Sequence, residues 1–143
     1  MKHKSLKLRI KKNEGFSLKP YKDQLGNYTI GYGHLIKKNE KKFFKTKFNK
    51  KFFDNLFEKD FLKALKDYKH KFRQHHTSKA TEELIIEMIF QLGIKNVKKF
   101  KKMKKRISDK QKYLVCLEMM DSLWYKQTPK RVENLIKNYL GAK

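Results

Sequence analysis

The chain has 143 residues, a formal net charge of +24 and a pI near 10.1. That length suits one compact domain whose core needs no disulfide or metal staple, and no run reaches the ~18 apolar residues of a membrane span. The charge attracts polyanions without choosing among nucleic acid, acidic membrane surfaces and acidic wall polymers, and the wealth of Lys, Asn, Ile, Phe and Tyr is equally what codon drift in an AT-rich genome writes.

The basic N-terminus, MKHKSLKLRIKKNEG, lacks the apolar region of a secretory signal peptide. It reads as a helix over Ser5 to Asn13, with Leu6 and Ile10 at helical spacing, Leu8 a further candidate, and Glu14-Gly15 as its end. From Gly15 to Ile36 the texture changes. This stretch holds four of the six glycines and one of the two prolines, so it must turn often. Its Tyr, Thr and Ile around Gly26-Asn27 predict short antiparallel strands. Lys37 to Lys51, mostly Lys, Asn and Phe, reads either as a basic amphipathic helix or as an irregular connection. Asp54 to Arg73 is predicted helical, with Leu56, Phe57, Phe61, Leu65, Tyr68 and Phe72 on one face. Ser78 is an expected N-cap, and the helix it opens, ELIIEMIFQLG, is apolar nearly all round and belongs at the centre of its lobe. Gly93 closes it. Lys95 to Arg106 follows as a short basic helix with Val97, Phe100 and Met103 inward. Ser108 to Gln111 has the form of a capping box opening a helix to Met120. Its one cysteine, Cys116 in YLVCL, reads as a small buried hydrophobe. Thr128-Pro129 starts a last helix that ends near Gly141.

Three polar residues punctuate the turn-rich stretch. Glu14 stands where helix gives way to strand, Asp23 nine residues later, and Thr29 six beyond that. Glycoside hydrolysis needs two carboxyl groups in unlike environments, one protonated to release the leaving oxygen and one ionised. A helix end and a hairpin can supply that difference, although spacing alone selects no chemistry.

The residues NEGFSLKPYKDQLGNYTIGYGHLI resemble the active-site signature of the T-even-phage lysozyme family, glycoside hydrolase family 24: a Glu-Gly pair, a Tyr-x-Asp and a Tyr-Thr-Ile-Gly-x-Gly-His hairpin. MIFQLG and WYKQTPKR resemble two further segments of that family in the same order. The resemblance implies an α+β lysozyme-like fold. A small β-hairpin lobe (about 14–53) is joined by a helix (54–73) to a helical lobe (78–143) that takes residues 1–13. It implies an inverting endo-N-acetylmuramidase acting on peptidoglycan without metal or cofactor. Glu14 is then the general acid, Asp23 positions the attacking water and Thr29 assists it. Arg131 pairs with Glu14, drawing its pKa down where burial would push it up. Tyr21, Gly33, Phe90, Gln91 and Trp124 support the site, with Gln91 meeting Trp124. His34 forms a structural ion pair with Asp60 in preference to acting as a base. The 35–59 segment is shorter than in the T-even enzymes, which implies a reduced cleft rim.

Glu87 departs from the pattern. It shares a helix face with Gln91, so its carboxylate either approaches Arg131 and competes with Glu14, or reaches solvent or a lysine, the blander reading. His70, His75 and His76 lack the companions of a metal site and read as solvated. Gly31-Tyr-Gly33 lacks the third glycine of a dinucleotide loop, and the sequon Asn27-Tyr28-Thr29 reads as chance. The expected setting is a monomeric phage endolysin, made in the host cytoplasm and admitted to the wall by a holin. Its charge allows contact with anionic wall polymers or lipids and no specific nucleic acid. The rival readings are a polycationic membrane-disrupting or wall-binding protein on the same scaffold, and a basic nucleic-acid binder.

Overall fold

The computed structural model describes residues 2–72 and 78–141. His75, His76 and the end of the helix expected to reach Arg73 lie outside the described residues. Two compact units emerge, Met1–Lys63 and Ala64–Lys143, and the boundary between them falls inside one long helix.

In the first unit, α1 (Lys4–Glu14) buries Leu6 and Ile10 and leaves Leu8 exposed. The Gly15 N–H caps it onto the Lys11 carbonyl at 3.0 Å. Three antiparallel strands follow in sequence order: β1 (Ser17–Lys22), β2 (Tyr28–Gly31) and β3 (His34–Leu35). Their register pairs Tyr21 with Thr29 and Ile30 with His34. Because side chains alternate, Tyr21 and Thr29 share one face of the sheet, and Ile30 and His34 share the other.

The 37–51 segment is mostly connection, interrupted by one turn of helix, α2 (Lys42–Lys45). Its phenylalanines are core residues. Phe43 and Phe53 cluster with Ile30, and Phe48 and Phe52 pack against them. Helix α3 (Lys50–Lys71) starts four residues before the expected Asp54, because Phe53 extends the buried face of Phe57 and Phe61 by one turn. Within this unit α1 lies against α3: Lys7 Nζ donates to Glu58 at 2.8 Å, Lys11 Nζ is 3.6 Å from Asp54, and His3 meets the Phe61 ring.

In the second unit α3 continues its buried face with Ala64, Tyr68 and Phe72; the expected Leu65 is only partly buried. Ser78 caps α4 (Lys79–Leu92) by accepting from the Thr81 N–H at 3.1 Å. Six consecutive α4 residues, Leu84 to Ile89, are buried, so this helix is enclosed on all sides. Gly93 ends it, as expected.

The basic stretch after Gly93 is two helices rather than one, α5 (Ile94–Val97) and α6 (Lys101–Ser108). The chain bends at Phe100, whose ring meets Trp124 edge-on at 5.8 Å. The capping box at Ser108 does not form. Ser108 is the last residue of α6, and Lys110 takes φ +56. The Gln111 N–H bonds the Arg106 carbonyl and the Lys110 N–H the Ile107 carbonyl, a Schellman closure with lysine where glycine is usual. Gln111 is thereby committed to ending α6, and α7 (Lys112–Met120) begins after it without a side-chain cap. A short helix not foreseen, α8 (Leu123–Gln127), is capped by Ser122. Then α9 (Pro129–Leu140) opens on Pro129 and closes at Gly141. Helix α9 packs on α4 and α7, and α6 packs on α7. Cys116 is buried, and burial raises its thiol pKa, as suits a packing residue.

Candidate active site

Glu14 is the last residue of α1, and its carboxyl rests on the turn between β2 and β3. That turn is Tyr32-Gly33. A Cβ at Gly33 would lie 2.5 Å from Glu14 Oε2 and 2.7 Å from Cδ, and Gly33 takes φ +75. Both facts call for glycine: the backbone angle strains any L side chain, and the carboxyl occupies the space one would need. Gly31, at φ +65, is required likewise, since a Cβ there would stand 2.7 Å from the Phe53 ring.

A charged network holds this approach from beneath. Asp54 on α3 accepts from the Tyr32 hydroxyl at 3.0 Å and from Lys50 at 3.0 Å, with Lys11 of α1 3.6 Å away. Lys11 also stands over the Tyr32 and Phe57 rings, 4.8 and 4.9 Å from their centroids. Burial alone would raise the Asp54 pKa, but the Lys50 and Tyr32 hydrogen bonds and the Lys11 charge bring it below its ordinary value. One carboxylate thus links the helix that carries Glu14, the turn that receives it and α3. Neither Asp54 nor Lys11 was marked by the sequence reading. The available signal was the cation-aromatic spacing of Lys11, Tyr32 and Phe57, which has no meaning until the turn is folded.

Asp23 sits in the loop between β1 and β2. Its Oδ1 accepts from the Leu25 and Asn27 N–H groups, each at 2.9 Å, while its own N–H bonds the Asn27 carbonyl. The loop therefore fixes one carboxylate oxygen. No hydrogen bond reaches Oδ2 among the described residues. Thr29 is 4% exposed, and its hydroxyl donates to the Tyr21 carbonyl across the sheet at 3.2 Å. Its oxygen keeps lone pairs to accept from another donor. Tyr21 itself is partly buried on the same sheet face as Thr29.

On the opposite face His34 is gripped at both ring nitrogens. Nδ1 lies 2.7 Å from Asp60 Oδ2, and Nε2 lies 3.1 Å from Glu40 Oε1. Glu40 also accepts the Lys37 N–H at 3.0 Å. Burial pulls the imidazole pKa down, but hydrogen bonds and charge from Asp60 and Glu40 overcome it and hold it above 6.5. Burial likewise opposes ionisation of Glu40; the Lys37 N–H and the imidazole prevail and lower its pKa. Glu40 is a partner the sequence reading missed, hidden among six lysines between residues 37 and 47.

In the second unit, Trp124 Nε1 donates to Gln91 Oε1 at 3.0 Å. The Thr128 hydroxyl donates to the Trp124 carbonyl at 3.1 Å, tying α8 to the start of α9. Phe90, beside Gln91, is partly buried. Glu87 is 1% exposed and does not reach solvent, which corrects the blander reading. Its Oε2 lies 3.4 Å from Nε of Arg131, whose side chain is 9% exposed. The cause is packing: six enclosed residues in a row leave Glu87 no outward direction, so it is buried against the nearest guanidinium.

Chemically, the first unit offers two carboxyl groups in contrasting surroundings, one on a helix end against a glycine turn and one pinned by loop N–H groups, and a buried hydroxyl, Thr29, on its sheet. No cluster of His, Cys, Asp and Glu among the described residues has the form of a metal site. No helix among them is long and apolar enough to cross a membrane. The family model described as phage lysozyme matches residues 11–138. Two Dictyostelium discoideum proteins, described as probable T4-type lysozyme 2 and probable T4-type lysozyme 1, are 35% and 34% identical over 155 aligned positions. Each alignment covers 92% of this chain and 91% of the relative.

Proposed function

Since the chain belongs to the phage lysozyme family and is a peptidoglycan-hydrolysing lysozyme, we propose that it is an inverting endo-N-acetylmuramidase with Glu14 as acid, Asp23 as the water's anchor and Thr29 as its aide. The bond cut is the β-1,4 link from N-acetylmuramic acid to N-acetylglucosamine. The observation that carries this reading is the seating of Glu14 over Gly33, with Thr29 on the same small sheet and Asp23 in the loop that joins its first two strands.

The reaction follows from the roles. Glu14, protonated, gives its proton to the glycosidic oxygen as the C1–O bond breaks. The sugar develops oxocarbenium character, and a water attacks C1 from the opposite face. Asp23 Oδ2 takes a hydrogen bond or proton from that water, while Oδ1 stays fixed by Leu25 and Asn27. The Thr29 oxygen accepts a second hydrogen bond and orients the water's lone pair. The product leaves with inverted configuration, Asp23 protonated and Glu14 ionised; solvent resets both. Room for the water requires the two carboxyl groups to stand roughly 6.5–9.5 Å apart.

In the same proposal Arg131, Gln91, Phe90, Trp124 and Tyr21 serve glycan binding and support of the acid, and Glu87 tunes Arg131. The protein acts as a monomer, in the setting of a phage endolysin admitted to the wall by a holin. The test is Glu14→Gln on purified peptidoglycan, scored by release of reducing ends and by mass analysis of the fragments. Loss of about 10²–10⁴-fold in kcat is expected, with muramic acid at the new reducing ends and inverted configuration by NMR. Full activity in that variant, glucosamine ends or an anhydro product would overturn it.

A further inference from the structure

A lysine-rich segment such as 37–51 is by default a solvated face, but its folded arrangement favours a binding surface. It carries eight lysines: 37, 38, 41, 42, 45, 47, 50 and 51, all exposed. Its single acid, Glu40, is turned inward onto His34 and the Lys37 N–H. Of the eight, Lys50 is ion-paired with Asp54 and Lys37 lies in the field of Glu40; no other ion pair with a carboxylate is made by these lysines among the described residues. The outer surface of this segment is therefore of one sign, and its one possible neutralising charge is spent inside. Lys50 belongs to the Asp54 network at the Glu14 turn; the rest of the segment packs on the other side of the sheet from Thr29. Phe43 packs against Ile30 and His34, the sheet face opposite Thr29.

The aromatic residues decide what such a surface can take. A segment that docks on a bilayer needs an apolar face to bury among the lipids. Here Phe43 is 3% exposed, Phe53 is buried, and Phe48 and Phe52 stack on each other at 4.2 Å within the cluster. A single-stranded nucleic acid needs a row of open rings for its bases. Phe44 and Tyr28 are open, 51% and 46% exposed, but they meet edge-on rather than forming a row, with Lys22 over the tyrosine. What remains is charge without apolar insertion or a stacking row, supplied by lysine, which imposes no fixed fork geometry on its partner. Binding by charge alone gains most from a linear polyanion, because closely spaced charges condense counterions that binding releases. Sparse carboxylates on peptide stems do not.

We infer that residues 37–51 form an accessory docking surface for a phosphodiester polymer of the bacterial wall, on the sheet face opposite Asp23 and Thr29. The inference rests on the reading of the protein as a wall hydrolase. Its role is to hold the enzyme at the wall while the catalytic face is left open.

Binding is measured in a Glu14→Gln background, so that the wall is not digested during the assay; cleavage is scored separately, and failure of the catalytic reading is thereby distinguished. The probes are walls carrying phosphodiester polymers and the same walls stripped of them with hydrofluoric acid. Changing Lys37, Lys38, Lys41, Lys42, Lys45 and Lys47 to Gln should weaken binding to intact walls on the order of tenfold or more at low salt, and flatten its salt dependence. The same six changed to Arg should bind like the parent. A control with Lys95, Lys98, Lys99, Lys101, Lys102 and Lys130 changed to Gln, all exposed in the second unit, should lose several-fold less. Stripping should bring the parent down to the level of the Gln variant. Equal losses in the two Gln sets would reduce the effect to net charge and overturn the proposal. So would parent binding that survives stripping. Tighter binding to phosphatidylglycerol vesicles or to a single-stranded oligonucleotide than to intact walls would overturn the choice of partner.

Discussion

Residues 1–63 and residues 64–143 both enclose carboxylates, but by different means. In the first unit Asp23, Glu40 and Asp54 are each met by a hydrogen-bond donor from a nearby loop or turn. Asp23 is held by its own loop, Glu40 by Lys37 and His34, and Asp54 by Tyr32 and Lys50. In the second unit Glu87 is enclosed by apolar helix packing, with Arg131 3.4 Å away. The contrast teaches what each arrangement is for. Donors that arrive from turns fix the direction of a carboxylate, which chemistry requires. A carboxylate enclosed with a guanidinium is costly to separate from it, which suits a contact that must not come apart.

The largest effect should come from disturbing direction in the first unit. Gly33→Ala places a methyl group where the Glu14 carboxyl lies, on a backbone angle that disfavours it. Activity on peptidoglycan should fall about 100-fold, as expected for a displaced catalytic group, with a stability loss of only about 1–2 kcal/mol. Wild-type activity in this variant would show that Glu14 can act from elsewhere and would break the comparison.

Next is the pair in the second unit. Glu87→Ala removes a buried carboxylate beside a guanidinium that is itself 9% exposed. Urea unfolding should show about 3 kcal/mol of lost stability. Glu87→Gln, which keeps the shape and a hydrogen-bonding oxygen, should lose less. A loss below about 0.5 kcal/mol in both would mean that the pair is not a structural contact.

The smallest effect is the pH response of the His34 clamp. Its pKa is raised on folding, so the stability it contributes is full below about 6.5 and is lost as pH rises through the raised value. Glu40 is lowered, so its contribution is full above about 4.5 and is lost as pH falls through its lowered value. The clamp is therefore strongest between those limits. The Tm of the wild type relative to Glu40→Gln should be greatest near pH 5–6 and should narrow toward pH 8–9. Taking the difference removes the general self-repulsion of a +24 chain. A gap that does not change with pH would indicate a packing role alone.

Much of the local structure was legible before folding. Gly15, Ser78, Gly93 and Pro129 each act on residues within one turn of themselves, and each bounds its helix where expected. The pattern Tyr-Thr-Ile-Gly-x-Gly-His carries its hairpin in the same way. Local signals misled where a second local solution was available. Ser108 to Gln111 can cap a helix forward or close one backward, and Arg106 and Ile107 supplied the carbonyls for closing. Lys95 to Arg106 has the periodicity of one helix, but Phe100 turns to Trp124 and splits it.

The proposed set of Glu14, Asp23 and Thr29 came from the resemblance of its motif to a family signature, since the spacing of these residues by itself selects no chemistry. By itself, the sequence determined the helix ends at Gly15, Ser78, Gly93 and Pro129, the glycine turn and the overall sign of the charge, since each depends on neighbours or on a sum. Only the tertiary structure decided where individual charges go. His34 meets Asp60 across 26 residues, Glu40 turns inward onto His34 and the Lys37 N–H, and Glu87 is shut in with Arg131. A side chain's hydrophobic period tells which way a helix face points. It cannot tell which cation will be waiting there, because that partner is brought in by the packing of another element.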